Sequence, residues 1–385
     1  MPLNYLDLQP QIKSYAGRIQ ALQQDVAARL PLAMDLLNTM AVQTAPWLAE
    51  FSEKVRSQPA GDRCALPTGE TVNAVIDPAD RQDLVTLLAS DGSQIIPNTH
   101  DALSMALVNT SRIIYNIGSK QPPQVLVQSR LLENDDSASG SRLPGEDLIA
   151  LQRDLSEMEI LADWQPEGAC CTIALADGPL ELFHEPRQSP DFQEYFQKYL
   201  SALGAIHQKG FLLGGYTDKP RANLVVRMLE WASPDPAASP LQGVSDALLF
   251  GLILAPGQRS AVFRLQSTSS LFYRDELALH FFYLNSGRSA KPWVARVEIP
   301  EWVARNPSSL AQLHAVLLDQ CRLMGSQPYP YLLHRAHEAA VVHFDEKEQL
   351  EAMLAQALQS QGAGIGSKSY KLSAKQLQSR TRMVI

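Results

Sequence analysis

The sequence predicts an α/β fold in which a mixed sheet is flanked by helices and preceded by a helical extension. Three observations support this prediction. Residues 6–58 are rich in Ala, Leu, Gln, Arg and Glu, a composition that favours helices. Beyond them, short apolar runs with strand character are interspersed with longer segments of helical periodicity. Because the two kinds of segment do not alternate strictly, a mixed sheet is favoured over a doubly wound parallel one.

Composition divides the chain into three segments. Residues 1–72 form a helical extension, which we expect to break near Pro31 and Pro46, followed by a linker rich in Pro and Gly. Residues 73–362 form the main domain, in which residues 133–145 are expected to be a polar surface loop. Residues 363–385 form a basic tail without acidic residues. The tail is either a flexible, solvated end or a contact to nucleic acid or to an acidic partner.

Strands and helices in the main domain are predicted from apolar periodicity. The strand candidates are residues 84–90, 106–117, 125–128, 170–176, 247–254, 260–265, 280–284 and 293–299. The helix candidates are residues 146–163, 189–209, 223–231, 308–324, 332–343 and 346–361.

Charge and cysteine content narrow the possible classes of protein. The formal net charge of -8 argues against tight, indiscriminate coating of nucleic acid, although it is compatible with a local basic groove. The four cysteines form no CxxC pair, which disfavours a zinc site and favours a reducing, cytoplasmic setting. No apolar run approaches the roughly 18 residues of a membrane span, and no signal peptide is visible. We therefore expect a cytoplasmic protein without a membrane partner.

Two Asp-Gly pairs each follow an apolar strand candidate. Asp91 comes directly after residues 84–90, and Asp177 comes directly after the run that ends at Ala176. Each pair alone is also explained as a hairpin turn, which the Asp-Gly dipeptide favours. If the two strands are neighbours in the sheet, both carboxylates lie at one edge, and a divalent cation would relieve their repulsion.

A helix between the two aspartates carries two further candidate ligands. Its apolar stripe is formed by Leu148, Leu151, Leu155, Met158 and Ala162. Glu159 lies on this stripe, whereas Glu157 lies on the opposite face. A carboxylate that faces the core needs a partner, and a metal ion shared with Asp91 and Asp177 would be one. Alternatively, Glu159 lies at the edge of the stripe and reaches water.

Two histidines lie in the predicted helix near the C-terminus. His334 and His337 are three residues apart and therefore share a helix face. His337 could complete a metal site or move protons, although a single histidine is more often structural or at the surface. The HxxHE order is not the HExxH motif of zinc proteases, so proteolysis is not favoured.

At these positions the chain resembles the NurA nuclease family. The matching segments are DGSQI at Asp91, the helix glutamate before the strand that ends in ADGPL, FFYL at Phe281, RVEIP at Arg296, and YPYLLHRAHEAAVV. Their order and spacing agree with the family over roughly residues 73–350. The resemblance implies a ribonuclease H-like fold and a DNA nuclease that usually requires manganese. It also implies a homodimer that works with HerA, a hexameric DNA-translocating ATPase, in processing DNA ends.

The resemblance also assigns roles to individual residues. Asp91 and Asp177 match strand carboxylates of the family, and His337 matches its C-terminal histidine. The family register accepts either Glu157 or Glu159 as the helix glutamate, and the apolar stripe favours Glu159.

Three basic residues and a tyrosine complete the expected site. Tyr329 matches a family tyrosine eight residues before the histidine. Because the resemblance implies positive charge near the site, Lys219, Arg221 and Arg296 are the candidates for DNA contacts.

The function that the resemblance implies is divalent-metal-dependent hydrolysis of DNA in end resection and repair. We expect 5′–3′ exonuclease activity, single-strand endonuclease activity, or both, with one or two Mn²⁺ or Mg²⁺ ions that activate water for attack on phosphorus. The main alternative is a catalytically inactive protein of the same fold that binds DNA ends or docks an ATPase. A ribonuclease of this fold and a glycosidase with paired carboxylates are further alternatives.

Overall fold

A computed structural model describes residues 3–57, 63–98, 103, 105–132, 145–166, 168, 170–182, 189–233, 239–288 and 291–362 of the chain. The helices are α1 (Tyr5–Ala41), α2 (Ala45–Arg56), α3 (Glu146–Ala162), α4 (Pro190–Gln208), α5 (Leu224–Ala232), α6 (Asp246–Ile253), α7 (Glu301–Ala304), α8 (Pro307–Leu323), α9 (Tyr331–Ala340) and α10 (Phe344–Ser360). The strands are β1 (Cys64–Pro67), β2 (Val75–Ile76), β3 (Val85–Ile95), β4 (Ala106–Ile117), β5 (Gln124–Leu132), β6 (Cys171–Asp177), β7 (Leu212–Thr217), β8 (Arg259–Ser260), β9 (Phe263–Gln266), β10 (Leu279–Asn285) and β11 (Val294–Pro300).

Packing divides the described part of the chain into two units. The first unit comprises Met1–Arg81, Gly178–Glu181 and Gly214–Pro330. The second unit comprises Gln82–Asp177, Leu182–Leu213 and Tyr331–Ile385. The sequence-based segments at residues 1–72, 73–362 and 363–385 remain a prediction, and residues 363–385, like most of the expected polar loop, lie outside the described residues.

A mixed sheet flanked by helices forms the core of the second unit. Its strands follow the order β6–β3–β4–β5, in which β3 is parallel to β6 and antiparallel to β4, and β4 is antiparallel to β5. Helices α3 and α9 both pack against β3 and β4, and α4 packs against α3. The predicted α/β fold, a mixed sheet with flanking helices, is thereby confirmed.

The first unit contains an antiparallel sheet and the helical extension. Its strands follow the order β1–β9–β10–β11, and β11 also pairs with the first-unit part of β7. Every residue of β10 and β11 is buried, which explains why these strands are almost continuously apolar in sequence. The C-terminal half of α1 packs against α5 and α6 and buries Ala33, Leu37 and Met40. The predicted N-terminal helical extension is therefore confirmed.

Two local predictions differ from the structure. Helix α1 continues through Pro31 to Ala41, so the expected break at this proline is wrong, whereas Pro46 lies in the first turn of α2, where proline is tolerated. The strand expected at residues 247–254 is helix α6, which Ser245 caps by accepting a hydrogen bond from the amide of Leu248. A short apolar run is compatible with either element, and this cap favours the helix.

Among the described residues, no helix combines the length and apolar character that crossing a membrane requires.

Candidate active site

Asp91 and Asp177 lie at the same level of the sheet in the second unit. Strands β3 and β6 are parallel neighbours, and the last pair in their register joins Ser90 to Ala176. The next residue of each strand is the aspartate, so the two aspartates lie at one level of neighbouring parallel strands. Strand β3 continues to Ile95 in register with β4, and the Asp91-Gly92 pair therefore forms no hairpin turn.

The carboxylate of Asp91 is held by two donors. Its Oδ2 lies 2.7 Å from Nδ1 of His337, and its Oδ1 accepts a hydrogen bond of 2.7 Å from the amide of Gly92. Asp91 is almost fully buried, whereas the side chain of His337 is 60% exposed. The pair of Asp91 and His337 thus joins a buried carboxylate to a largely exposed imidazole. The Nε2 atom of that imidazole takes no part in the contact with Asp91.

Polar side chains of β3 and β4 fix helix α9, which carries His337. The hydroxyl of Ser93 and the amide of Asn109 both donate to the carbonyl of Ala340. The hydroxyl of Ser111 donates to the carbonyl of Ala336 at 2.7 Å. Because the last carbonyls of a helix have no partner within it, these bonds anchor the C-terminal end of α9 to the sheet.

Glu157 is the buried carboxylate of helix α3. Burial raises its pKa well above the ordinary range, the neighbouring carboxylates of Asp154, Asp91 and Asp177 raise it further, and Arg153 opposes them. Nε of Arg153 lies 3.4 Å from Oε1 of Glu157. The carboxylates of three aspartates therefore act together on Glu157, and among the described residues Arg153 is the cation that opposes their effect.

Gly92 allows Glu157 to approach strand β3 closely. A Cβ atom at position 92 would lie 2.7 Å from Oε1 of Glu157 and 2.7 Å from Cγ of Arg153. Any other residue would push both side chains away from the strand. The glycine after Asp91 therefore serves the approach of the helix rather than a turn.

The expectation that Glu159 faces the site is wrong. Glu159 is half-buried and lines a cleft with Arg130 and Asp163, whereas Glu157 is buried against Gly92 of β3. The physical reason is that α3 packs against both the sheet and α4, so more than one of its faces is buried. Its apolar stripe consequently does not identify the face that meets β3.

No role in the site was predicted for Arg153. It lies four residues before Glu157, a spacing at which oppositely charged side chains meet on a helix. This spacing was the available signal for the ion pair.

The remaining candidates belong to the first unit. The ring of Tyr329 meets the ring of Tyr216 edge to face, with 5.5 Å between the centroids. Arg221 is exposed, and Lys219, with a φ of 43°, places its ammonium group 3.8 Å from the centroid of the Trp293 ring.

The expectation that Arg296 contacts DNA is corrected by its burial. Its guanidinium lies 2.8 Å from the carboxylate of Glu298, which is also fully buried. Glu298 in turn accepts hydrogen bonds from the amides of Leu180 and Glu181. Arg296 is therefore part of an internal network in the first unit.

The donor chemistry of the second unit suits a hard divalent cation. Asp91, Glu157 and Asp177 supply carboxylate oxygens and His337 supplies an imidazole, a combination that Mn²⁺ and Mg²⁺ accept. Burial, and after it the neighbouring carboxylates of Asp154, Asp91 and Asp177, raise the pKa of Glu157, and a bound cation would offset both effects. Among the described residues, no group of three or more His, Cys, Asp or Glu side chains is arranged to hold a metal ion as they lie.

Comparisons with known proteins point to one family. The model of the NurA domain matches residues 85–342. The crystal structure of the NurA nuclease from Sulfolobus solfataricus aligns with 94% of this chain and 98% of its own, at 12% identity and a TM-score of 0.54, and so shows the same fold. The catalytic domain of human endonuclease V aligns with 81% of this chain and 99% of its own, at 13% identity and a TM-score of 0.31. Argonaute from A. aeolicus aligns with 67% of this chain and 28% of its own, at 11% identity and a TM-score of 0.30. No curated protein sequence matches the chain.

Proposed function

We propose that this chain, which belongs to the NurA family, is a divalent-metal-dependent deoxyribonuclease that hydrolyses phosphodiester bonds. The observation that supports this most strongly is that Asp91 and Asp177 lie at the same level of neighbouring parallel strands beside Glu157, whose pKa is raised by burial and then by the carboxylates of Asp154, Asp91 and Asp177. Buried groups with strongly shifted pKa values are concentrated at functional sites, because an uncompensated buried charge is otherwise costly.

In this proposal Asp91, Glu157, Asp177 and His337 hold one or two Mn²⁺ or Mg²⁺ ions. Glu157 takes the place that the apolar stripe assigned to Glu159. A bound cation would supply the positive charge that activates water and offsets the charge developing on the phosphate.

The chain's own groups would orient the reactants and move a proton. The contact of Nδ1 with Asp91 fixes the ring of His337, so that Nε2 is left either to bind the cation or to take or give a proton at the exposed side of the pair. Tyr329 is proposed to position the phosphate or the water. Lys219 and Arg221 remain the proposed DNA contacts, because both side chains are exposed.

The proposed setting is cytoplasmic DNA end resection and repair, by 5′–3′ exonuclease activity, single-strand endonuclease activity, or both. The proposed partners are DNA, a second copy of the chain and a HerA-type hexameric ATPase. The net charge of -8 supports a role for a motor, because it gives the chain only weak overall attraction to DNA. A translocase that feeds DNA to the site would reduce the need for intrinsic affinity.

A catalytically inactive protein that binds DNA ends is the second candidate. It is favoured by the observation that the described side chains do not form a ready-made group of metal ligands. The two candidates differ in whether DNA is cut.

The test is an assay on end-labelled single- and double-stranded DNA with Mn²⁺, with Mg²⁺ and with EDTA. The proposal expects cleavage with Mn²⁺, loss of cleavage with EDTA, and no cleavage by an Asp91→Asn variant purified in parallel. Binding of DNA ends without cleavage, by folded protein at saturating Mn²⁺, would support the inactive alternative. Cleavage that resists EDTA would contradict a metal-dependent site.

A further inference from the structure

Strand β5 is the open edge of the sheet in the second unit. Among the described residues it pairs with β4 and with no other strand. Every residue from Gln124 to Leu131 is exposed, so both faces of the strand are open. Edge strands of soluble proteins are usually guarded by charged side chains or covered, because an open edge accepts further strands. Since Arg130 is the one charged residue of β5, a covering segment is favoured over a guarded edge.

The face of β5 on the α9 side of the sheet is apolar. Val127 pairs in register with Ser111, whose hydroxyl bonds to α9, so both side chains lie on this side. Val125 and Leu131 share the face, because side chains two and four residues apart on a strand point the same way. Val125 and Val127 are 58% and 46% exposed. A covering segment therefore has to present apolar side chains here.

The other face of β5 borders a polar cleft of about 370 Å³. Its lining includes Gln128 and Arg130 of β5, Glu159 of α3, and Asp163 directly after α3. Burial raises the pKa of Glu159, Arg130 opposes this shift, and Asp163 adds to it. Because two carboxylates line the cleft beside one guanidinium, a further cation would be favoured there.

The described part of the chain ends close to this edge. Helix α10 packs Leu350 and Leu354 against a cluster that includes Leu107 of β4, and the register partner of Leu107 on β5 is Leu131. The helix extends about 9 Å beyond Leu354. Residues 363–385 therefore begin near the Leu131 end of β5. The first seven of them can span up to about 23 Å, which is enough to reach the strand.

The sequence beyond α10 has the alternation that such an edge requires. Residues 362–366 are rich in glycine and suit a connection. Residues 370–375 then alternate between apolar and polar side chains, which is the pattern of a strand with one apolar face. The apolar members are Tyr370, Leu372 and Ala374, and the polar members are Lys371, Ser373 and Lys375. The lysines would supply the positive charge that the cleft favours.

We propose that residues 369–375 bind to the edge of β5 as an added antiparallel strand of the same chain. The direction is antiparallel because the segment starts at the Leu131 end of β5 and runs towards Gln124. Its apolar side chains cover Val125 and Val127, and its lysines face the cleft on the other side. The proposal goes beyond the nuclease assignment and does not rest on it.

Charge determines the register of the added strand. If Tyr370 lay opposite Leu131, Lys371 would lie opposite Arg130, and like charges directly opposite one another destabilise a sheet. A shift of two residues removes this repulsion and keeps the apolar side chains on the α9 side, whereas a shift of one residue would turn the lysines to that side. The resulting pairs are Lys371 with Gln128, Leu372 with Val127, and Ala374 with Val125.

The first test traps this pairing by a disulfide in the full-length chain. A Cys170→Ser/Cys171→Ser background removes the two cysteines that are not buried. We expect mild oxidation to link Val127→Cys to Leu372→Cys within one chain, because directly opposite Cβ atoms lie about 4.5–5.5 Å apart. The control combines Val127→Cys with Ser373→Cys. Its thiols point to opposite faces and should link at least about tenfold less.

Non-reducing gels and the masses of the linked peptides distinguish the results. A link within one chain that forms with Leu372→Cys and not with Ser373→Cys supports the proposal. Links between chains would show that a second copy covers β5. Equal linking of both pairs, or no linking, would show that the basic tail has no fixed place on this edge. Each of the last three results would overturn the proposal.

The second test measures hydrogen exchange of the β5 amides by mass spectrometry. In Tyr370→Ser/Leu372→Ser we expect these amides to exchange about tenfold faster than in the unmodified chain, because the added strand protects them. The control is Gln376→Ser/Gln378→Ser, which changes the chain just beyond the pairing and should leave the exchange unchanged. Equal exchange in the two variants would overturn the proposal. Because neither test reads activity, an inactive chain with the added strand would refute only the proposed function.

Discussion

Replacing Gly92 by alanine tests whether the close approach of α3 to β3 organises the site. The added Cβ would lie 2.7 Å from both Oε1 of Glu157 and Cγ of Arg153, whereas ordinary contacts are 3.4–4 Å. Each of these atoms must therefore withdraw by about 0.7 Å or more to reach ordinary van der Waals separation. The displaced carboxylate is the one that the proposed site shares with Asp91 and Asp177.

The expected magnitude follows from two opposing effects. The backbone of Gly92 does not have a positive φ, so alanine is sterically allowed there and would by itself stabilise the chain by about 0.4–1 kcal/mol. Overpacking in a tight interior costs about 1–3 kcal/mol. The net loss in the free energy of unfolding is therefore about 0–2.6 kcal/mol. Because the substitution also moves a proposed ligand, the Mn²⁺ requirement for cleavage should rise about tenfold.

The assay combines urea unfolding with Mn²⁺ titration of cleavage. Gly204→Ala is the matched control, since a Cβ at this position of α4 meets nothing within 4 Å. Alanine in a helix interior should leave cleavage unchanged and stabilise the chain by up to about 1 kcal/mol. The reasoning is refuted if Gly92→Ala matches Gly204→Ala in both stability and Mn²⁺ dependence.

Three further predictions concern the interior. Burial lowers the pKa of His314 to about 4 from 6.5, so the stability gained from its neutral form is present above pH 6.5 and is lost as the pH falls to 4. This loss amounts to about 3 kcal/mol. In the His314→Gln variant, the free energy of unfolding measured by urea titration should lack this fall between pH 6.5 and pH 4. Ser111→Ala should cost about 1–3 kcal/mol and speed hydrogen exchange in α9, because it removes the donor to Ala336; unchanged exchange would exclude the anchor. Glu298→Ala should cost about 3–5 kcal/mol in urea unfolding, because it leaves the Arg296 charge buried without its partner, and a loss under 1 kcal/mol would contradict that pairing.

The long periodic elements could be predicted from the sequence because their patterns extend over many residues. Strand β4 has its predicted bounds, and α3 and α8 end within a residue of prediction. Strand β7 was not anticipated, because Gly214 and Gly215 interrupt its apolar run. Gly215 is required by a close approach, since a Cβ there would lie 2.7 Å from the carbonyl oxygen of Gly178. Such a contact between distant residues leaves no local signal.

Of the proposed site, only Asp91 and Asp177 could be placed from the sequence, because their position directly after an apolar strand segment determines where they lie in the sheet. Asp91 and Asp177 each follow an apolar strand, so parallel pairing alone places them at one level. The choice of Glu157 over Glu159 depends on which face of α3 meets the sheet, and periodicity does not reveal that for a helix buried on two sides.

The burial of Arg296 had a signal that could have been used. Arg296 and Glu298 are two residues apart in β11, so their side chains point to the same face of the strand. In a strand that is otherwise apolar, that spacing indicates an internal ion pair rather than a surface contact.

The most direct test of the proposed site compares the Mn²⁺-dependent cleavage rates of Glu157→Gln and Glu159→Gln on the same end-labelled DNA. The two changes are chemically identical and two residues apart on α3. The account predicts that Glu157→Gln reduces the rate by more than about 100-fold, since loss of even an outer partner of a metal ligand costs about 10- to 100-fold. It predicts that Glu159→Gln stays within a few-fold of the unmodified chain, because its carboxylate lies in the cleft with Arg130 and Asp163. Loss of cleavage in Glu159→Gln with activity retained in Glu157→Gln would contradict the account.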